Sequence, residues 1–168
     1  MRYDNITRAV FIKRPNRFIA EVYVNGKKET VHVKNTGRCR EWLDKQDYDK
    51  VIPEYTYGES RIDFYMERAG KKYLMEVKGC TLEIDGIGYF PDAPTERGIK
   101  HLHELAGAVK SGYKAMLAFV IQMDGVEEVR ANTDTHPEFG TALDAAKAAG
   151  VEVLFLKCHV EPDTLVII

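Results

Sequence analysis

Two runs of strict alternation face each other across Ala69-Gly70, and no other feature of the chain restricts its fold as much. From Arg61, the apolar residues Ile62, Phe64 and Met66 alternate with polar Arg61, Asp63 and Glu67. Beyond the dipeptide, Tyr73, Met75 and Val77 alternate with Lys72, Glu76 and Lys78. A period of two is that of a half-buried strand, and a short loop joins the two runs into an antiparallel hairpin. With an even-numbered loop, Phe64 faces Met75 and Asp63 faces Glu76. Directly opposed residues share a face, so two carboxylates lie side by side, and Lys78, two residues beyond Glu76, joins them. An odd-numbered loop puts Asp63 and Glu76 on opposite faces.

Around this hairpin the chain reads as α/β. A short strand is expected at 81–84, before the turn glycines Gly86 and Gly88. Residues 95–111 form an amphipathic helix, with Ile99, Leu102, Leu105, Ala106 and Val109 on one side. Residues 115–122 are almost wholly apolar, as a strand covered on both faces requires. A second helix over 137–149 and a last buried strand over 151–156 complete a mixed β-sheet flanked by helices. Residues 41–52 are polar and mixed, with Trp42 and Leu43 as anchors of a short helix. Ahead of them, β-branched and aromatic runs at 9–12, 17–24 and 30–33 are separated by Arg14-Pro15-Asn16 and by the hairpin signal Asn25-Gly26. Three short strands cannot bury a core of their own.

Composition matters chiefly through charge. Residues 1–40 hold ten Lys or Arg against three Asp or Glu, a net of +7, while 41–168 hold 14 against 23, a net of −9. A basic segment on an acidic chain points to a polyanionic partner, nucleic acid above all. No apolar run is long enough to cross a membrane and the first thirty residues are charged throughout, so a cytoplasmic protein with no membrane partner is expected. Cys39, Cys80 and Cys158 are odd in number and lack CxxC spacing, which excludes a zinc ribbon and suits a reducing compartment.

Paired carboxylates with a lysine on one strand face suit a hard divalent cation, Mg²⁺ or Mn²⁺. Asp63 and Glu76 would be ligands, with the Val77 carbonyl a third oxygen, and Lys78 the general base or water-orienting group in phosphodiester hydrolysis. A surface ladder of salt bridges uses the same residue types. Longer blocks weigh on that choice: 57–64 (Tyr-Gly-Glu-Ser-Arg-Ile-Asp-Phe), Met75-Glu76-Val77-Lys78, and 90–102 from Phe90-Pro91-Asp92 to His101-Leu102. With Arg14-Pro15-Asn16-Arg17-Phe18 and 32–38 (His-Val-Lys-Asn-Thr-Gly-Arg), they resemble the signature blocks of the sugar fermentation stimulation protein A family.

The resemblance implies a nuclease-like domain of PD-(D/E)xK type, restriction-endonuclease-like, over 41–168. It also implies an N-terminal segment, 1–40, that resembles part of a nucleic-acid-binding OB fold. It maps the pattern's aspartate to Asp63, its Glu-x-Lys to Glu76 and Lys78, and an upstream acid to Glu54. Members of that family are described mainly as DNA-binding regulators of sugar metabolism, so a non-cleaving regulator stands beside the nuclease. One departure is plain: where the family continues with further strands after Asn-Thr-Gly-Arg, Arg40 here runs directly into Glu41-Trp42-Leu43. Candidate nucleic-acid contacts are Arg14, Arg17, Phe18, Lys34, Asn35 and Arg38, with Arg97 and Lys100 at the start of the first long helix, where anions are favoured. DNA is preferred to RNA as the partner, and a homodimer is compatible with the chain.

Overall fold

The structure, a computed structural model, describes residues 5–16, 19–32, 39–161 and 164–168. Its centre is a six-stranded mixed sheet in the order β12-β11-β9-β6-β5-β4. The strands are β4 (Lys50–Tyr57), β5 (Ser60–Arg68), β6 (Lys71–Cys80), β9 (Lys114–Ile121), β11 (Glu152–Glu161) and β12 (Thr164–Ile167). β4, β5 and β6 are antiparallel, β6, β9 and β11 run parallel, and β12 turns back along β11. Two helices cover one face: α2 (Glu96–Lys110) and α3 (Pro137–Ala148). Their apolar sides meet β5, β6 and β9 through Leu102, Leu105, Phe139, Leu74, Leu117 and Phe119. The other face buries Phe64, Met66, Met75 and Val120 beneath the short helix α1 (Cys39–Leu43) and beneath Leu165 of β12. Layers on both sides explain why β9 reads as a continuous apolar run. The protein is thus mixed α/β.

The expected hairpin register is observed from the loop as far as Phe64 and Met75, and the expected Asp63–Glu76 pair is not formed. Phe64 pairs with Met75 and Arg68 with Lys71, closing a two-residue loop in which Ala69 and Gly70 have φ of 49° and 73°. Positive φ at both positions matches the right-handed twist of the strands it joins. Asn25-Gly26 makes the same kind of turn between β2 (Ile19–Val24) and β3 (Lys27–His32), which with β1 (Val10–Asn16) form a separate three-stranded antiparallel sheet. A third small sheet, β10-β8-β7, joins β7 (Leu82–Ile84), β8 (Ile87–Phe90) and β10 (Val129–Ala131).

Several expectations need correction. Residues 50–57 are an edge strand, β4, where only a short helix and loop were expected, and β10 and β12 are likewise additional. α1 starts at Cys39, and that fully buried cysteine belongs to the core of the large sheet, so the expected boundary after residue 40 cuts through the helix. Gly88 is not a turn residue. It lies inside β8, where an added Cβ would come within 3.0 Å of the Cys80 sulfur and 3.1 Å of the Glu128 carbonyl.

Most consequential for the site, the alternation along β5 changes phase. Ile62 and Tyr65 face α2, whereas Phe64 and Met66 face α1. β4 shifts in step: Val51 packs on the α1 side, but Ile52, Tyr55 and Tyr57 all pack on the α2 side. The pairing register persists through the shift, with Pro53 opposite Phe64 and Tyr55 opposite Ile62. Asp63 and Glu54 (φ 53°) therefore stand where both strands twist together.

Candidate metal and catalytic centre

β6 supplies the frame of the centre. Leu74 and Cys80 face α2, so Glu76 and Lys78 between them share that face. This would bury a carboxylate against an apolar helix side, which is costly unless the charge is paired and hydrogen-bonded. The pairing is provided. Lys78 Nζ donates to Glu76 Oε1 at 2.6 Å, and His101 Nδ1, from the inner side of α2, hydrogen-bonds to the same oxygen. Side-chain exposures of 3% for Glu76, 5% for His101 and 15% for Lys78 make this the most enclosed charged group in the described residues. The second oxygen, Glu76 Oε2, is buried and has no hydrogen-bond partner.

Asp63 reaches the same place from β5. The β5–β6 ladder ends at Phe64 and Met75, and beyond it the two strands part. Asp63 is next in register to Glu76 but not paired with it. Instead its Oδ2 accepts the Val77 N–H at 2.8 Å, doing there what a β5 carbonyl does elsewhere along the ladder. The phase change frees the carboxylate from either face and lets it lie in the parting. Burial, and next the nearby Glu76 charge, raise the Asp63 carboxyl to about 6. Burial also pushes Glu76 upward, but the His101 hydrogen bond and the Lys78 charge outweigh it, and the net direction is downward. One carboxyl is thus held ionised and its neighbour is poised. Cys39 lies on the other side, its thiol pushed up to about 12 by burial and then by Asp63 and Cys158.

The remaining expected residues divide. Glu54 does not join the cluster: it is exposed and ion-paired with Arg61 across the β4–β5 ladder. Arg97 is exposed in the first turn of α2, where its Nε donates to His101 Nε2 at 3.4 Å, so it is tied to the centre. Lys100 points away from it and donates to the Glu59 carbonyl at 3.2 Å. There it lines an open groove of about 780 Å³ with Tyr57, Gly58, Ile99, His103 and Glu104, on the outer side of α2. Arg14 lies in β1. Arg17, Phe18, Lys34, Asn35 and Arg38 fall outside the described residues. In the sequence His101 stands out only as a member of the 90–102 block. Its link to Glu76 depends on how α2 lies across β6, and no local pattern encodes that.

Among the described residues, no group of three or more His, Cys, Asp and Glu side chains forms a metal cage. What the centre offers is two carboxylates, Asp63 and the partnerless Oε2 of Glu76, with the Val77 carbonyl between Glu76 and Lys78 in the chain. Such a sparse oxygen set fits Mg²⁺ or Mn²⁺, which retain several waters and bind through one or two carboxylates. The orphaned Glu76 oxygen is the observation that favours a cation over a plain ion pair, because a buried acceptor without a donor is costly.

A mixed α/β domain with a carboxylate–lysine–histidine centre at a strand parting defines the class. The family profile described as the sugar fermentation stimulation protein RE domain matches residues 14–164. A sugar fermentation stimulation protein homolog of Desulfitobacterium hafniense (strain Y51) is 40% identical over 215 residues, covering 98% of this chain and 94% of its own. One from Clostridium beijerinckii is 41% identical over 216 residues, covering 98% and 96%. The chain belongs to the sugar fermentation stimulation protein family. The alignments are longer than the 168 residues of this chain, so the relatives carry positions that have no counterpart here. The solved structure of Pyrococcus furiosus SfsA in complex with Ca²⁺ has the same fold, with a TM-score of 0.84 over 99% of this chain and 94% of that one, at 22% identity. No described helix is long and apolar enough to cross a membrane.

Proposed function

We propose that the protein is a metal-dependent phosphodiesterase acting on nucleic acid, DNA in preference to RNA, with a restriction-endonuclease-like domain of PD-(D/E)xK type. The observation that carries this reading is the buried, partnerless Glu76 Oε2 beside an Asp63 whose ionisation the fold disfavours. An Mg²⁺ or Mn²⁺ ion held by Asp63, Glu76 and the Val77 carbonyl would act as a Lewis acid toward a phosphate oxygen. Lys78, anchored by Glu76 Oε1, orients the attacking water through its remaining ammonium protons. Arg97, exposed at the start of α2, presents its remaining guanidinium donors to a substrate phosphate. Asp63 spans the parting of β5 and β6 and so fixes the distance between the two carboxylates. The Pyrococcus furiosus protein of this fold was solved with Ca²⁺, a hard cation of the kind this oxygen set suits. The basic 1–40 segment, read as a remnant of an OB-like module, would track the phosphate backbone.

The test is a titration with Mg²⁺ and Mn²⁺ on labelled single- and double-stranded DNA and RNA. Cation-dependent cleavage is expected, and Lys78→Ala should abolish it while leaving affinity for the substrate nearly unchanged. Tight binding with no cleavage of any substrate would establish the non-cleaving regulator in its place. Cleavage undiminished in Lys78→Ala would remove Lys78 from its role.

A further inference from the structure

Glu76 Oε1 receives two donors while Oε2 receives none. Lys78 cannot maintain that asymmetry alone, since its ammonium sits on four rotatable bonds and is partly exposed to solvent. His101 is rigid, almost fully buried, and comes from a different element. Its other ring nitrogen faces Arg97 Nε at 3.4 Å, one helical turn earlier. A guanidinium can only donate, so Nε2 of His101 is the unprotonated acceptor and Nδ1 carries the proton given to Glu76. The tautomer is set by the helix neighbour, much as second-layer hydrogen bonds set it at metal sites.

We infer that His101 is a positioning residue: with Arg97 behind it, it holds Glu76 Oε1 so that Oε2 is the oxygen left free for a divalent cation. This rests on the metal-dependent reading above. His101 touches neither substrate nor the reacting atoms and acts only through Glu76.

Calorimetric titration of Mn²⁺ into the wild-type protein and into His101→Ala, His101→Asn and His101→Gln tests it. The Asn amide nitrogen falls where Nδ1 stood, whereas that of Gln reaches the place of Nε2. His101→Ala and His101→Gln should weaken Mn²⁺ binding about 10–100-fold, the usual effect of removing a partner of a metal ligand. His101→Asn should stay within about threefold of wild type, since it restores the donor. If His101→Ala fails to fold, the comparison of Asn with Gln decides the matter. Equal affinities for those two variants, or an unaltered His101→Ala, overturn the inference and leave the metal site standing. Wild-type protein that binds no Mn²⁺ overturns both. Imidazole nitrogen NMR of the metal-free protein reads the tautomer directly: a proton on Nδ1 is expected, and one on Nε2 refutes the assignment.

Discussion

Asp63 and Glu76 are both buried carboxyls, and the difference between them is one of partners. Glu76 gains two cationic or hydrogen-bonding neighbours, while Asp63 gains one backbone N–H and a like charge. A native carboxyl raised to about 6 holds its proton more tightly than the unfolded chain does. That protonation stabilises the fold fully below about pH 4, and the benefit is lost as pH rises through 6. In metal-free protein, Asp63→Asn should therefore increase stability at pH 8 by about 1–3 kcal/mol and leave it unchanged near pH 4. Urea denaturation in chelator at the two pH values measures this, and millimolar Mn²⁺ should reverse the order at pH 8 by stabilising only the wild type. An Asp63→Asn variant less stable at pH 8 without metal would mean that Asp63 is structural. The chain alone made Asp63, Glu76 and Lys78 legible, because they ride on a hairpin whose period and turn are local. It could not show that Asp63 leaves the strand face, because the phase change belongs to two paired strands at once.

The same contrast holds for elements. The β5–β6 hairpin, β9, α2 and α3 follow from periodicity and turn residues close in sequence. β4 does not, because Pro53 and the left-handed Glu54 interrupt its alternation and its apolar residues shift face with β5. β10 and β12, at three and four residues, are too short to carry a period. α2 matters most, since it brings Arg97 and His101 to the centre. Its start is fixed by Thr95, whose Oγ1 accepts the Gly98 N–H at 3.1 Å. Thr95→Ala should cost about 1 kcal/mol. Gly98 explains itself at the same spot. Replacing a helical glycine by alanine gains up to about 1 kcal/mol where space is open. Here a Cβ would meet Thr95 Cγ2 at 2.8 Å and Oγ1 at 3.0 Å, with the Phe139 ring behind. Gly98→Ala should therefore destabilise rather than stabilise, and denaturant midpoints of the two variants check both signs.

Across the whole molecule charge is divided along the chain, a net of +7 in residues 1–40 against −9 in 41–168. Among the described residues, Lys13 and Arg14 of β1 and Lys27 and Lys28 of β3 lie on a different sheet from the buried centre at Glu76, so binding and chemistry should separate under mutation. Contacts from a basic segment are made mostly to phosphates and release counterions, so affinity should fall linearly with the logarithm of salt. Replacing Arg14 and Arg17 together by alanine should weaken binding at low salt. If both contact phosphates, it should also reduce the slope by about 2, since each duplex phosphate contact contributes about 0.9. Turnover of bound substrate should not change, because the proposed chemistry rests on Asp63, Glu76 and Lys78 and not on the basic segment. Titrations at several salt concentrations, paired with single-turnover cleavage under Mn²⁺, read the two quantities apart. An unchanged slope would move the polyanion surface away from the N-terminal segment and toward the start of α2, where Arg97 and Lys100 are the exposed cations. Loss of single-turnover rate in the double variant would mean that the basic segment also positions the scissile phosphate, and the division between the two ends of the chain would fall.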